Sequence, residues 1–297
     1  MVIEIPSAWE EIAKLCLKNK LRRILVLGAS DRGKSTLCRF LVSRIGLEGA
    51  PAVLVDSDVG QKDVGPPAAV TRGHLQRPSD LHSLRMDGLY FVGATTPVRH
   101  LLPMVVGTRE VTRSAGDAFV IINTTGLIQG IGYALKSYKI ETLHPDLLIA
   151  VDPGDETAAI TASYPQFRSI RVEPSPAVVA KSRPMRREAR QRAFAVYFGG
   201  SSRVGLDLAS ITFQRNAAFV DALRHGAQSA ASLPQRHLLC GLCDGAGRCL
   251  GLGLLEKLDM RAGTMAVITP VKSRGIKIVQ LGDLYVSPNG EELGWTR

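Results

Sequence analysis

The sequence predicts an α/β fold, a mostly parallel sheet flanked by helices, followed by a small C-terminal β-rich domain. Three observations carry this expectation. Continuous apolar runs at 24–27, 52–55, 119–122 and 147–151 recur with helical stretches and glycine-rich joints between them. Strands apolar at every position are buried on both faces, as in a parallel sheet covered by helices. After about residue 210 the texture changes to short segments with frequent glycine, at 238–242, 249–255, 264–269, 276–281 and 284–286. Turn signals Asp244-Gly245 and Asn289-Gly290 accompany them, the pattern of a small antiparallel β domain. Between the two textures Gly199-Gly200-Ser201-Ser202 loosens the chain, which predicts a boundary near 200–215. The expected organisation is a lead-in segment at 1–20, a main α/β domain at 21–205 and a β-rich domain at 206–297.

Composition narrows the class. With 297 residues, 45% hydrophobic and 22% charged, the chain is ordinary globular material and long enough for a sizeable core, which argues against disorder. Its apolar runs fall far short of the ~18 residues needed to span a bilayer, so no membrane association is expected. The first twenty residues lack the continuous apolar stretch of a signal peptide, and the odd count of five cysteines agrees with reduced thiols. Cytoplasmic location is the expectation. Thirty-seven Lys and Arg against 27 Asp and Glu leave a net charge of +10. Such a field favours polyanions, nucleic acid above all, although basic surfaces also serve solubility alone.

Gly28-Ala29-Ser30-Asp31-Arg32-Gly33-Lys34-Ser35 follows the apolar run 24–27 and opens a segment with helical apolar spacing from Thr36 onward. This is the G-x-x-x-x-G-K-[ST] loop in the strand-to-helix context that it requires, and it makes the α/β domain a P-loop NTPase fold. Its glycines let backbone N–H groups turn inward around phosphates, the helix N-terminus adds positive potential, and Lys34 can reach the β and γ oxygens. Ser35 is the expected Mg²⁺ ligand. No Asn-Lys-x-Asp motif for reading guanine is present, which disfavours GTP.

A second acidic element, Asp56-Ser57-Asp58-Val59-Gly60-Gln61, ends the apolar run 52–55. Carboxylates at i and i+2 point the same way only while the strand stays extended. One of them can orient Mg²⁺-bound water and the other can accept a proton from an attacking hydroxyl, or both are acidic residues of a turn that caps the strand. Asn123-Thr124-Thr125-Gly126 follows the run 119–122, again at a sheet edge where ligands bind, or as a plain strand-to-helix turn. In Lys181-Ser182-Arg183-Pro184-Met185-Arg186-Arg187-Glu188-Ala189-Arg190, Ser182 and Pro184 signal a helix start. Arg183, Arg186, Arg187 and Arg190 then share one helical face. Arginines crowded at a helix N-terminus oppose the dipole, and a bound polyphosphate relieves that. The alternatives are a solvated basic helix or a patch gripping nucleic-acid backbone.

Taken together, the Asp56-Ser57-Asp58-Val59-Gly60-Gln61 element, Gly65-Pro66-Pro67 and the phosphate loop resemble the polynucleotide 5′-hydroxyl kinase family. That family includes archaeal RNA kinases and the eukaryotic kinases of mRNA 3′-end, tRNA and rRNA processing. The resemblance continues in Pro6-Ser7-Ala8-Trp9, in Asn123-Thr124-Thr125-Gly126 through Gly130-x-Gly132-Tyr133, in the basic run and in Thr269-Pro270-Val271 and Leu281-Gly282, so it spans nearly the whole chain. It implies transfer of the γ-phosphate of ATP, with Mg²⁺, to the 5′-hydroxyl of single-stranded RNA, with DNA left open as an acceptor. By the same resemblance Asp58 is the general base and Asp56 belongs to the metal shell. The run near 181–192 becomes a lid over ATP, with Lys181 and Arg186 at its catalytic positions and Arg190 on the nucleotide. The family usually has arginine where Lys181 stands, and a lysine lacks the bidentate fork. Gln61, Asn123, Thr124, Gly126 and Leu127 are the expected substrate contacts. Eukaryotic members carry an aromatic residue at the position of Leu127, and leucine offers no comparable π-face to a base.

Two rival classes remain open at this level: an ATP-binding scaffold without catalysis, and an ATPase switch. No protein partner is legible in the sequence. Cys240-Gly241-Leu242-Cys243 with Cys249 and His237 resembles part of a zinc site, but strand-like surroundings favour packing. Asp152-Pro153-Gly154-Asp155 reads as a turn after a strand, near enough to the sheet edge to meet a base.

Overall fold

The structure is a computed structural model that describes residues 6–215 and 236–296. The chain divides into two compact units, one of residues 1–65, 70–88 and 96–186, the other of residues 66–69, 89–95 and 187–297.

The first unit is built on a seven-stranded sheet. Its strands are β1 (Arg23–Leu27), β2 (Ala52–Ser57), β3 (Ala69–Leu75), β4 (Leu84–Phe91), β5 (Phe119–Thr124), β6 (Leu147–Val151) and β7 (Ser169–Val172), in the order β4-β3-β2-β5-β1-β6-β7. β2, β5, β1, β6 and β7 run parallel, and β3 joins β2 antiparallel. The four apolar runs are the four central strands. β5 and β6 are buried along their whole length, as parallel strands covered on both faces must be. The helices are α1 (Ser7–Asn19), α2 (Lys34–Leu47), α3 (Leu101–Arg113), α4 (Ile131–Leu143), the short α5 (Ala158–Ala162) and the start of α6 (Arg183–Phe198). On α1, Trp9, Ile12, Ala13 and Cys16 repeat at helical spacing, all are buried, and the Trp9 ring lies 5.6 Å from that of Phe40 on α2. Strands β3 and β4 extend the sheet beyond the apolar runs. β4 is an edge strand with alternating and only partial burial, which is why no continuous run marks it.

The second unit carries an antiparallel sheet of order β14-β13-β10-β11-β12-β8. Its strands are β8 (Ser202–Asp207), β10 (Leu238–Cys243), β11 (Cys249–Asp259), β12 (Thr264–Thr269), β13 (Ile278–Val286) and β14 (Glu292–Trp295), with β9 (Thr212–Gln214) beside β13 in parallel. The segments 276–281 and 284–286 merge into the single strand β13. Phe91, Phe194, Phe198, Leu239, Leu252, Leu254, Leu284 and Val286 form one of its cores. A Cβ on Gly241 would come within 2.6 Å of the Phe91 ring, so a glycine there lets the aromatic side chain pack directly against the strand backbone. Among the described residues no helix is long and apolar enough to cross a membrane.

Candidate active site

β1 delivers the chain into the loop 28–33 at the C-terminal edge of the parallel sheet. Gly28 has φ +146° and a Cβ there would lie 2.5 Å from the Val151 carbonyl; Gly33 caps α2 at φ +80°. Asp31 takes a left-handed conformation at φ 56°. Lys34, the first residue of α2, is 7% exposed and its Nζ donates to the Ala29 carbonyl at 2.6 Å. Burial lowers its pKa, against the opposing pull of Asp58. Arg32 donates to both carboxylate oxygens of Glu156, at 2.9 and 2.5 Å, which fixes the loop's outer side. Ser35 and Thr36, in the first turn of α2, are half-buried.

Asp56 is wholly buried on β2. Its Oδ1 accepts from the Asp58 N–H at 3.1 Å and its Oδ2 from the Asp63 N–H at 2.6 Å, while Lys62 Nζ stands 3.4 Å from Oδ2 and donates to the Asp56 carbonyl at 2.7 Å. Burial raises the Asp56 carboxyl to about 6, with Lys62 opposing the shift and Asp63 and Asp58 adding to it. β2 stops at Ser57, so Asp58 stands in the following turn rather than on the strand face. Asp58 Oδ1 accepts from the Gly60 and Gln61 N–H groups at 2.9 and 3.0 Å. The turn reading is therefore the observed one and it engages a single oxygen: Oδ1 holds the turn, and no hydrogen bond from the described residues reaches Oδ2.

Asn123, at the end of β5, ties the two elements together. Its Nδ2 lies 3.1 Å from Ser35 Oγ, 3.4 Å from Asp56 Oδ1 and 3.5 Å from Asp63 Oδ2, and its buried Oδ1 has no partner among the described residues. The Ser35 hydroxyl and the Asp56 and Asp63 carboxylates that converge on this amide are hard oxygen donors suited to a cation that keeps some of its water, and so fit Mg²⁺. Thr124 turns inward, donating from Oγ1 to the Val26 carbonyl at 2.7 Å, so its side chain braces β5 on β1. A Cβ on Gly126 would collide with Ser30, and one on Gly132 with the Leu127 carbonyl. These two glycines are what bring the loop after β5 against the phosphate loop. Leu127 remains 37% exposed.

The basic run starts α6 where expected, with Ser182 Oγ accepting from the Met185 N–H at 3.4 Å. Asp31 Oδ2 receives both the Lys181 N–H at 3.1 Å and Arg186 Nη2 at 2.5 Å, and Gln61 Nε2 donates to the Arg186 carbonyl at 3.2 Å. The Lys181 side chain is exposed. Arg190 lies in the second unit, where Glu292 holds it through bonds of 2.7 and 3.0 Å.

The structure thus brings together Lys34, Ser35, Asp56, Asp58, Gln61, Asn123, Gly126 and Arg186. It adds four residues that sequence reasoning missed: Lys62, Asp63, Lys136 and Lys139. Lys136 and Lys139 were discoverable, since they interrupt the buried stripe Gly132, Leu135, Ile140 and Leu143 of α4 at positions that call for apolar side chains. Asp152 accepts from the Gly154 and Thr157 N–H groups at 2.8 Å each, the capping of a turn. Cys243 pairs in register with Cys249 across β10 and β11.

This sheet, with its glycine loop feeding a helix whose first residue is a buried lysine, defines a P-loop nucleotide-binding protein. Residues 28–200 match the model of the family described as mRNA cleavage and polyadenylation factor CLP1 P-loop, and the chain belongs to that family. It is 28% identical to a polyribonucleotide 5′-hydroxyl-kinase of Methanocaldococcus jannaschii, over 98% of this chain and 94% of that one. With the polyribonucleotide 5′-hydroxyl-kinase of Pyrococcus furiosus it shares 28% identity, over 99% and 96%. The rat polyribonucleotide 5′-hydroxyl-kinase Clp1 is 30% identical over 65% of this chain and 49% of its own. A solved structure of a wild-type Clp1p–Pcf11p complex superimposes with a TM-score of 0.73 at 13% identity, covering 96% of this chain and 80% of that one, which extends the likeness in fold to both units.

Proposed function

We propose that this protein is an ATP-dependent polynucleotide 5′-hydroxyl kinase that moves the γ-phosphate of ATP onto the 5′-hydroxyl of RNA. The observation that carries the reading is Asp58, a half-buried carboxylate with one oxygen fixed by the turn and the other open, at the same sheet edge as Lys34. Near-full-length relatives that carry the kinase name support it.

In this reading residues 28–36 wrap the phosphates with backbone N–H groups, and Lys34 exchanges the Ala29 carbonyl for phosphate oxygens. Ser35 and Asp56 would hold Mg²⁺, whose chemistry is to neutralise charge on the phosphate oxygens. Asp58 Oδ2 takes the proton of the attacking hydroxyl. Gln61, Asn123, Gly126 and Leu127 position the 5′ end, and Thr124 keeps their loop on the sheet. Arg186 leaves Asp31 for the transferring phosphoryl group, and Lys181 supplies a second, non-bidentate charge. Arg190 would serve the nucleotide on exchanging Glu292 for phosphate. The five cysteines are all free thiols, which supports a reducing, cytoplasmic setting.

Transfer of labelled γ-phosphate to matched RNA and DNA oligonucleotides with 5′-hydroxyl ends tests this. Label should appear on the oligonucleotide and be lost in Lys34→Ala and Asp58→Asn. ATP hydrolysis that ignores the acceptor would identify an ATPase, and binding without turnover a scaffold.

A further inference from the structure

Helix α4 carries two lysines, Lys136 and Lys139, three residues apart and both completely buried. Lysine is almost never buried without a reason, because desolvating the ammonium is expensive. Burial lowers the pKa of Lys136 well below the ordinary lysine value, helped by the charges of Lys139 and Lys34, and lowers that of Lys139 to about 7. A leucine or methionine would fill either position at less cost, so what the two amines hold must account for their presence.

Lys136 Nζ has three donors and meets three acceptors: the Thr125 carbonyl at 2.8 Å, Thr125 Oγ1 at 2.9 Å and the Leu127 carbonyl at 3.1 Å. These atoms bracket Gly126, in the loop that packs on Ser30 of the phosphate cradle. Lys139 Nζ donates to Ser57 Oγ. Thr108 Oγ1 donates to the Met104 carbonyl at 2.6 Å, so Ser57 Oγ, 2.8 Å away, must donate to Thr108 and can only accept from Lys139. Ser57 is the last residue of β2, between Asp56 and Asp58. One rigid helix therefore grips two loops, the one that turns to present Asp58 and the one that carries Leu127.

We propose that Lys136 and Lys139 are positioning residues, through which α4 sets the acceptor loop at 125–127 and the acidic turn at 57–61 in a fixed relation to each other. The assignment of turnover effects rests on the kinase reading above; the mechanical coupling does not. Neither lysine touches a reacting atom: Lys136 acts through Thr125 and Leu127, and Lys139 acts through Ser57.

Lys136→Met and Lys139→Met test the assignment. Lys139→Met should lower kcat by about 10- to 100-fold, the penalty of a misplaced catalytic group, and leave the KM values for ATP and oligonucleotide unchanged. Its Tm at neutral pH should hold or rise, since a costly buried amine is gone and Ser57 keeps Thr108. Lys136→Met should raise the oligonucleotide KM several-fold and spare the KM for ATP. Ser57→Ala combined with Lys139→Met should be no worse than Lys139→Met alone. Backbone amide exchange on the same proteins reads the loops without turnover: Lys136→Met should speed exchange at 125–128 and leave 57–61 protected, and Lys139→Met the reverse. Variants that lose Tm, kcat and both KM values together, or that leave both loops as protected as in the wild type, overturn the proposal. A wild-type protein without transfer activity but with this exchange pattern would remove the kinase reading and keep the positioning role.

Discussion

At the scale of single residues, the site is organised by groups whose ionisation is displaced. Lys139 has its pKa lowered from 10.5 to about 7, so the unfolded chain binds more protons than the native one between those values. Stability therefore rises as pH increases from about 7 towards 10.5, by up to about 1.4 kcal/mol per unit for this one group. Lys34, Lys62 and Lys136 act in the same direction, since burial depresses each. Chemical denaturation at a series of alkaline pH values should show Lys139→Met with a shallower rise than the wild type. Leu127 offers a different test. At 37% exposure it has room for a larger ring, and base–aromatic stacking contributes about 1–3 kcal/mol. Leu127→Trp should lower the oligonucleotide KM and change the RNA-to-DNA ratio of transfer; unchanged values for both would remove this residue from acceptor binding.

At the scale of elements, legibility followed unbroken apolar runs. The strands β1, β2, β5 and β6 were readable because each contains an unbroken run of at least four apolar residues, and the phosphate loop because its spacing is dictated by what it holds. β3 and β4 were not: Thr71, Arg72 and His74 break any apolar run in β3 although most of it is buried, and β4 is a half-buried edge strand. The site was legible wherever a motif is local, as at Lys34 and Asp58. It was illegible where the partner is distant in sequence: nothing near Lys139 announces Ser57, 82 residues away. The start of α6 was likewise visible as a cluster of cations, but its tether was not. Asp31 belongs to the phosphate loop and yet holds Arg186 and the Lys181 N–H. If the arginine must leave Asp31 to reach phosphate, the pair opposes nucleotide binding. Asp31→Ala should then lower the KM for ATP a few-fold, as befits a partly exposed ion pair, and speed amide exchange at 181–186. A raised KM would instead make Asp31 a direct part of the nucleotide site.

At the scale of the whole molecule, the net charge of +10 has a measurable consequence. Binding of a polynucleotide releases counterions, so the oligonucleotide KM should climb steeply with salt concentration, whereas the KM for ATP should climb less. A flat dependence would count against a polynucleotide acceptor.

The path of the chain through its two units bears on how the protein is made. Ala68 and Phe91 belong to a core whose other members arrive between Phe194 and Val286. On the ribosome these early residues wait for roughly a hundred further amino acids before their first partners emerge, and for nearly two hundred before the last. The second unit cannot complete this core until Val286 has been made, and no continuous stretch of the chain encodes it alone. A fragment of residues 187–297, expressed alone, lacks the aromatic ring that lies on Gly241 and should show neither a cooperative melting transition nor dispersed amide resonances. Co-expression with residues 1–186 should restore both, because the missing pieces of that unit lie at 66–69 and 89–95.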